Sequence, residues 1–103
     1  MMQAVLEADR NRRPAPPDVY AGVYAEVRAE RARQDARWGG PPHDDTLSHE
    51  QWLALLTELL GNAAANRRPV RGKLWRIILV ELAATAVAAA EAYDRAEAGD
   101  WKY

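Results

Sequence analysis

Residues 72–95 read GKLWRIILVELAATAVAAAEAYDR, and the choice between a membrane span and a buried helix rests on them. The apolar run IILVELAATAVAAA inside this stretch is short for a bilayer, rich in Ala rather than Leu, and interrupted by Glu81. It predicts a helix of a soluble, cytoplasmic domain, running from about Lys73 to Ala98. The middle of that helix is apolar on nearly every side, so it is expected to be covered all round. At a rise of about 1.5 Å per residue it would be roughly 35–40 Å long, more than a chain of 103 residues can hide by itself. Self-association into a dimer or tetramer is the expected remedy, with the Ala positions letting helices approach closely.

Upstream, NRRPVRGK (residues 66–73) brings Pro69 and Gly72 together and ends the preceding helix near Asn66. That helix has the best-marked start in the chain. Ser48 is placed to cap the N–H of Gln51 while Gln51 reaches back, and Leu47 is placed to pack on Trp52 as a hydrophobic staple. Trp52, Leu55, Leu56, Leu59, Leu60 and Ala63 form its apolar stripe. Gln51, Ala54, Glu58, Asn62 and Ala65 lie on another face, where Glu58 and Asn62, one turn apart, point at the same object.

Earlier still, GGPP (residues 39–42) stops a helix expected from an Asp18 N-cap to about Trp38, with Val19, Val23 and Val27 at helical spacing. GGPPHDDTL (residues 39–47) reads as the loop that follows. RNRRPAPP (residues 10–17) is too rich in proline for regular structure. The chain divides into an arm over residues 1–17, a helical domain over 18–98 and a tail over 99–103 that carries Trp101 and Tyr103. The expected fold class is all-α, an antiparallel helix bundle.

The 14 basic residues balance the 15 acidic ones, so a wholesale electrostatic grip on nucleic acid or an anionic membrane is not expected. Cysteine is absent, which excludes disulfides, thiolate nucleophiles and Cys-type zinc sites. Glu81 is the most informative single residue. In an apolar helix its carboxylate needs a metal, an Arg partner, a proton or a path to water. One reading pairs it with a loop arginine or places it at a wet interface, and the other makes it a metal ligand facing Glu58.

The order AEVRAERARQDARWGGPPHDD, then HEQWLALLTELLGNAAA, then GKLWRIILVELAATAVAAAEAYDR resembles the MazG-like nucleotide pyrophosphohydrolases, especially the small forms common in bacteriophages. The resemblance covers about Val19 to Arg95. Those relatives show a helix ending in Arg-x-Arg-Gln and then Trp-Gly, a His-Asp loop, a Trp-led helix carrying Glu-Glu-x-x-Glu, and a long helix carrying Glu-x-x-Asp. It implies an all-α, oligomeric fold that binds Mg²⁺ through these carboxylates and cleaves nucleoside triphosphates to monophosphate and pyrophosphate. Carried over residue by residue, the first motif falls on Glu58, Leu59 and Asn62, and the second on Glu81 and Ala84. Two of the five acidic positions are acidic here.

Mg²⁺ takes near-octahedral oxygen coordination, usually from carboxylates, waters and substrate phosphates. Glu58, Glu81 and the Asn62 carbonyl would supply one ion with a site when a triphosphate adds oxygens, but they are a poor basis for the fuller cluster that activates a water. The expected function is therefore a catalytically degenerate member, a pseudoenzyme that binds a nucleotide or a protein. By analogy with phage relatives it would act on a host factor. The alternative is an active Mg²⁺-dependent pyrophosphohydrolase.

Arg33, Gln34 and Trp38 fall where the resemblance is sharpest. Trp38 either stacks on a base, with Gln34 on its edge, or anchors the helix end in the core. Arg67, Arg68, Arg71 and Lys73 form a basic loop that either binds phosphates or is simply solvated. His43, Asp44 and Asp45 read as capping and loop chemistry, with a metal or nucleotide role as the alternative.

Overall fold

The computed structural model describes residues 17–67 and 72–99. The described residues form four helices and no strand: α1 (Pro17–Trp38), α2 (Pro41–Asp44), α3 (His49–Ala65) and α4 (Gly72–Glu97). The all-α expectation holds, and no described helix is long and apolar enough to cross a membrane. Of the expected arm over residues 1–17, Pro17 belongs to α1 and the other sixteen residues lie outside the described ones, as do Arg68, Arg71, Trp101 and Tyr103.

The long helix is the spine. α1, α2 and α3 each pack on α4, while α1 and α3 scarcely touch each other. One face of α4 carries the packing, through Ile78, Ala84, Thr85, Ala88 and Ala92, all buried. Their separations of three, four and seven residues place them on one side of a helix. Trp52 at the start of α3 sits against Ala88 and Ala92 near the end of α4, with Leu47 and Ala89 beside it, so α3 runs antiparallel to α4. Glu26 meets Arg76 while Gln34, eight residues on, meets Glu81 and Thr85, so α1 runs parallel to α4. The topology is up, down, up.

Local chemistry explains the boundaries. Ser48 accepts from the Gln51 N–H at 3.2 Å and Gln51 accepts from the Ser48 N–H at 2.8 Å, which is the expected capping box. Leu47 against Trp52 is the expected staple. At α1 the expectation needs correction. The helix starts at Pro17, so Asp18 lies in the first turn rather than at the N-cap. Proline's fixed φ suits the first helical position, and a carboxylate one residue later still complements the helix dipole. The loop over residues 39–47 also contains a turn of helix, α2, because Pro41 and Pro42 occupy its first two positions, where no N–H is needed.

Gly39 and Gly40 form the corner between α1 and α2, at φ 109° and 68°. Gly39 donates its N–H to the Asp35 carbonyl at 2.9 Å and Gly40 accepts from the N–H groups of His43 and Asp44. With ψ at −151°, Gly40 occupies a backbone region that side chains other than hydrogen rarely tolerate.

The middle of α4, residues 78–85, is buried or half-buried on every side, whereas nearer its ends apolar side chains stay exposed among the described residues. Trp75 and Ile77 are 40% and 51% exposed, and on α3 Leu60 is 59% exposed. Among the described residues the fully buried core is mostly methyl groups. Trp52 and Ile78 are its only large members among the described residues.

Gly40→Ala is expected to lower the folding free energy by about 1–3 kcal/mol through backbone strain. Urea denaturation would show this as a reduced midpoint at unchanged slope, and an unchanged midpoint would contradict the corner geometry.

Candidate functional site

A recess of about 380 Å³ opens between α1 and α4, lined by Glu30, Arg33, Gln34, Arg37 and Glu81. The four α1 residues follow the 3-1-3 spacing that puts them on one face of a helix. Gln34 sets the register of the two walls. Its Nε2 donates to Thr85 Oγ1 at 3.2 Å and, more weakly, to the Glu81 carbonyl at 3.4 Å. Thr85 is buried and donates back to the same carbonyl at 2.8 Å. Helix α1 is therefore held against α4 by a polar bridge inside an otherwise alanine-lined contact. Further along, Arg76 grips both carboxylate oxygens of Glu26 at 2.6 and 2.8 Å, and this guanidinium holds the Glu26 carboxyl below its ordinary range.

Within the recess Arg33 donates from Nε to Glu30 at 2.8 Å. Arg37 lies with its guanidinium carbon 5.8 Å from the centre of the Trp38 ring, within cation–π range. Glu81 is half-buried, and among the described residues its carboxylate has no ion pair or hydrogen bond. Among the described residues, the open recess beside it gives that carboxylate a path to water. The loop-arginine pairing is not formed among the described residues.

The sequence-predicted residues divide. Arg33, Gln34 and Glu81 are brought together. Glu58 and Asn62 are on an exposed side of α3 and do not line the recess. Trp38 is 58% exposed and stacks on His43 with ring centres 6.2 Å apart, so it does not anchor the helix end in the core, and it is not part of the recess. Arg67 donates to the Ala64 carbonyl at 2.8 Å, where it closes the last turn of α3. Lys73 is exposed at the start of α4, and Arg68 and Arg71 are among the residues not described. Glu30 and Arg37 went unnoticed in the sequence, although each lies three residues or one turn from Arg33 and Gln34 on the same helix face.

The residues in the recess do not fit the Mg²⁺ that the family resemblance implies. Two guanidiniums stand beside the two carboxylates and compete with a divalent cation for them. Among the described residues no group of three or more His, Asp or Glu side chains is placed to hold a metal. What the recess offers instead is a mixed pair of forks, cationic and anionic, at the mouth of a small cleft.

The His-Asp-Asp turn does structural work. Arg95, near the end of α4, donates from Nε to Asp45 Oδ1 at 2.8 Å, which straps the loop to the spine. Its Nη2 lies 2.6 Å from the same oxygen but is out of line for a hydrogen bond. Asp44 is buried, and burial, reinforced by the nearby Asp35 charge, pushes its carboxyl above the ordinary range. Arg31, His43 and Arg95 pull it back only in part.

Comparison of the chain with protein-family models, with curated proteins and with solved structures gives no match. The reading of the site therefore proceeds from its geometry.

A raised carboxyl means that the folded state holds the proton more tightly than the unfolded state does. Asp44 therefore weighs least on stability below its ordinary value of 3.8 and progressively more as the pH rises through its folded value. Asp44→Asn is expected to melt higher than the parent at pH 7, with the difference closing toward pH 3. Thermal melts across that range check it, and a variant that melts lower at pH 7 would show that the ionised carboxylate is net stabilising.

Proposed function

We propose that this chain is a catalytically degenerate, MazG-like helical protein that binds the phosphates of a nucleotide without turning it over. The observation that carries this reading is the recess itself. Arg33 and Arg37 present guanidinium donors beside Glu81, suited to bidentate contact with phosphate oxygens, and the carboxylates that would assemble a metal cluster are not gathered there. Glu30 occupies Arg33 in the free protein. An incoming phosphate would displace it, and the cost of that exchange keeps affinity modest.

The motif order supports the family reading. Arg33 and Gln34, then the Ser48-capped helix with Glu58, then Glu81 in the long helix occur in the sequence of the resemblance, while Leu59, Asn62 and Ala84 stand where acids are expected. Hydrolysis to monophosphate and pyrophosphate would need a metal-activated water and a stabilised leaving group. Neither has an evident provider in the recess.

Titration calorimetry with a nucleoside triphosphate in metal-free buffer is expected to show binding. Replacing both Arg33 and Arg37 by Ala should weaken it at least tenfold, on the scale of about 1.5–3 kcal/mol per charge-assisted hydrogen bond. Glu30→Gln should tighten it by removing the competing carboxylate. The same protein incubated with triphosphate and Mg²⁺ or Mn²⁺ should release no pyrophosphate. Ion-dependent release that Glu81→Gln abolishes would make the chain a working pyrophosphohydrolase instead.

A further inference from the structure

We infer that the recess selects guanine among the bases, with Glu81 reading the base while Arg33 and Arg37 hold the phosphates; this rests on the nucleotide reading above and adds the base to it. The recess is graded from inside to outside. Glu30, Gln34 and Glu81 are half-buried, whereas the Arg33 side chain is 66% exposed and Arg37 is exposed. Carboxylate and amide oxygens accept hydrogen bonds and guanidinium groups only donate them, so acceptors lie inside and donors at the mouth. A ligand that satisfies both ends carries hydrogen-bond donors on its inner end and anionic oxygens on its outer one.

The inner acceptors are not equivalent. Glu30 already accepts from Arg33 Nε at 2.8 Å. Gln34 commits its Nε2 to Thr85 Oγ1 and the Glu81 carbonyl, so the amide expected at a base edge is engaged between the helices. Glu81 is fixed through its backbone, because its carbonyl receives both Thr85 and Gln34. Its carboxylate is the inner group that meets nothing among the described residues. A half-buried carboxylate without donors is costly to keep, and its two oxygens side by side are the complement of two adjacent N–H donors.

Among the common bases guanine alone offers that pair, the ring N1–H beside the N2 amino group. Adenine and cytosine set one amino group next to a bare ring nitrogen, whose lone pair would face the second carboxylate oxygen. Uracil and thymine flank their one ring N–H with two carbonyls. A site whose polar groups await particular partners rejects ligands that leave those groups unpaired. At about 380 Å³ the recess falls at the small end of ligand cavities, ~300–1,000 Å³. That is room for a base at Glu81, with the phosphates left at the mouth beside the arginines.

Titration calorimetry on the full chain in metal-free buffer compares GTP, ITP and ATP, with inorganic triphosphate as the probe that carries no base. GTP is expected to bind at least tenfold more tightly than ATP, and ITP, which lacks the N2 amino group, to fall between them. Glu81→Gln replaces one acceptor oxygen by an amide donor and so matches the amino group and bare ring nitrogen of adenine. It is expected to reverse the order of GTP and ATP without weakening inorganic triphosphate, a change of ratio that loss of a charge alone does not produce. Equal binding of GTP, ITP and ATP to the parent, or ATP in first place, overturns the base assignment and leaves the phosphate reading standing. That comparison needs no variant to fold. A preference for GTP that the folded Glu81→Gln variant keeps also overturns it, because another residue would then read the base. Binding of none of the four probes removes the phosphate reading and the base assignment together.

Discussion

Close approach along alanine is the constraint on which the structure depends. Ala84, Ala88 and Ala92 are buried at four-residue intervals on α4, and their methyl groups let the backbones of neighbouring helices draw near. Proximity of this kind gains dispersion contacts but removes little apolar area from water per residue. Trp52 supplies much of what the methyl groups cannot, because its ring spans Ala88 and Ala92 at the far end of the antiparallel pair. The chain consequently has a precise helix arrangement and a thin core.

Two features of the surface follow from that thinness. A core this small leaves other apolar side chains exposed among the described residues. Leu53 and Leu60 on α3 and Trp75 and Tyr93 on α4 are among them. On the α1 side the same small residues open space for polar groups. Thr85 is small enough to bury and to accept from Gln34, and around that bridge the recess forms, with Glu81 half-buried yet wet.

Electrostatics orders the helices more than it strengthens them. The Glu26–Arg76 fork is exposed, and a pair of that kind adds little to stability in water. Its role is to set the register of α1, with Arg31–Glu91 and Gln34–Thr85 on the same helix pair. Arg95–Asp45 does the same for the loop before α3. Asp44 is the counterweight, a buried carboxylate whose ionisation costs the folded state something at neutral pH.

Local chemistry determined much of this protein from the sequence alone. The α3 capping box and staple, the stop at Gly39 and Gly40, the long α4 and the all-α class follow from propensity, caps and periodicity, which act between residues a few positions apart. Arg33 and Gln34 were grouped in the sequence by the motif that carries the family resemblance. The tertiary structure alone decided which long-range neighbours those residues have. Glu81 lines one recess with Glu30, Arg33 and Arg37 rather than facing Glu58, Trp38 stacks on His43 at the surface, and the covering of α4 is confined to its middle. Periodicity ranks the faces of a helix by polarity, but it carries no information on which face another helix will occupy. That choice belongs to packing, where alanine size and a few long-range polar pairs outweigh hydrophobicity alone.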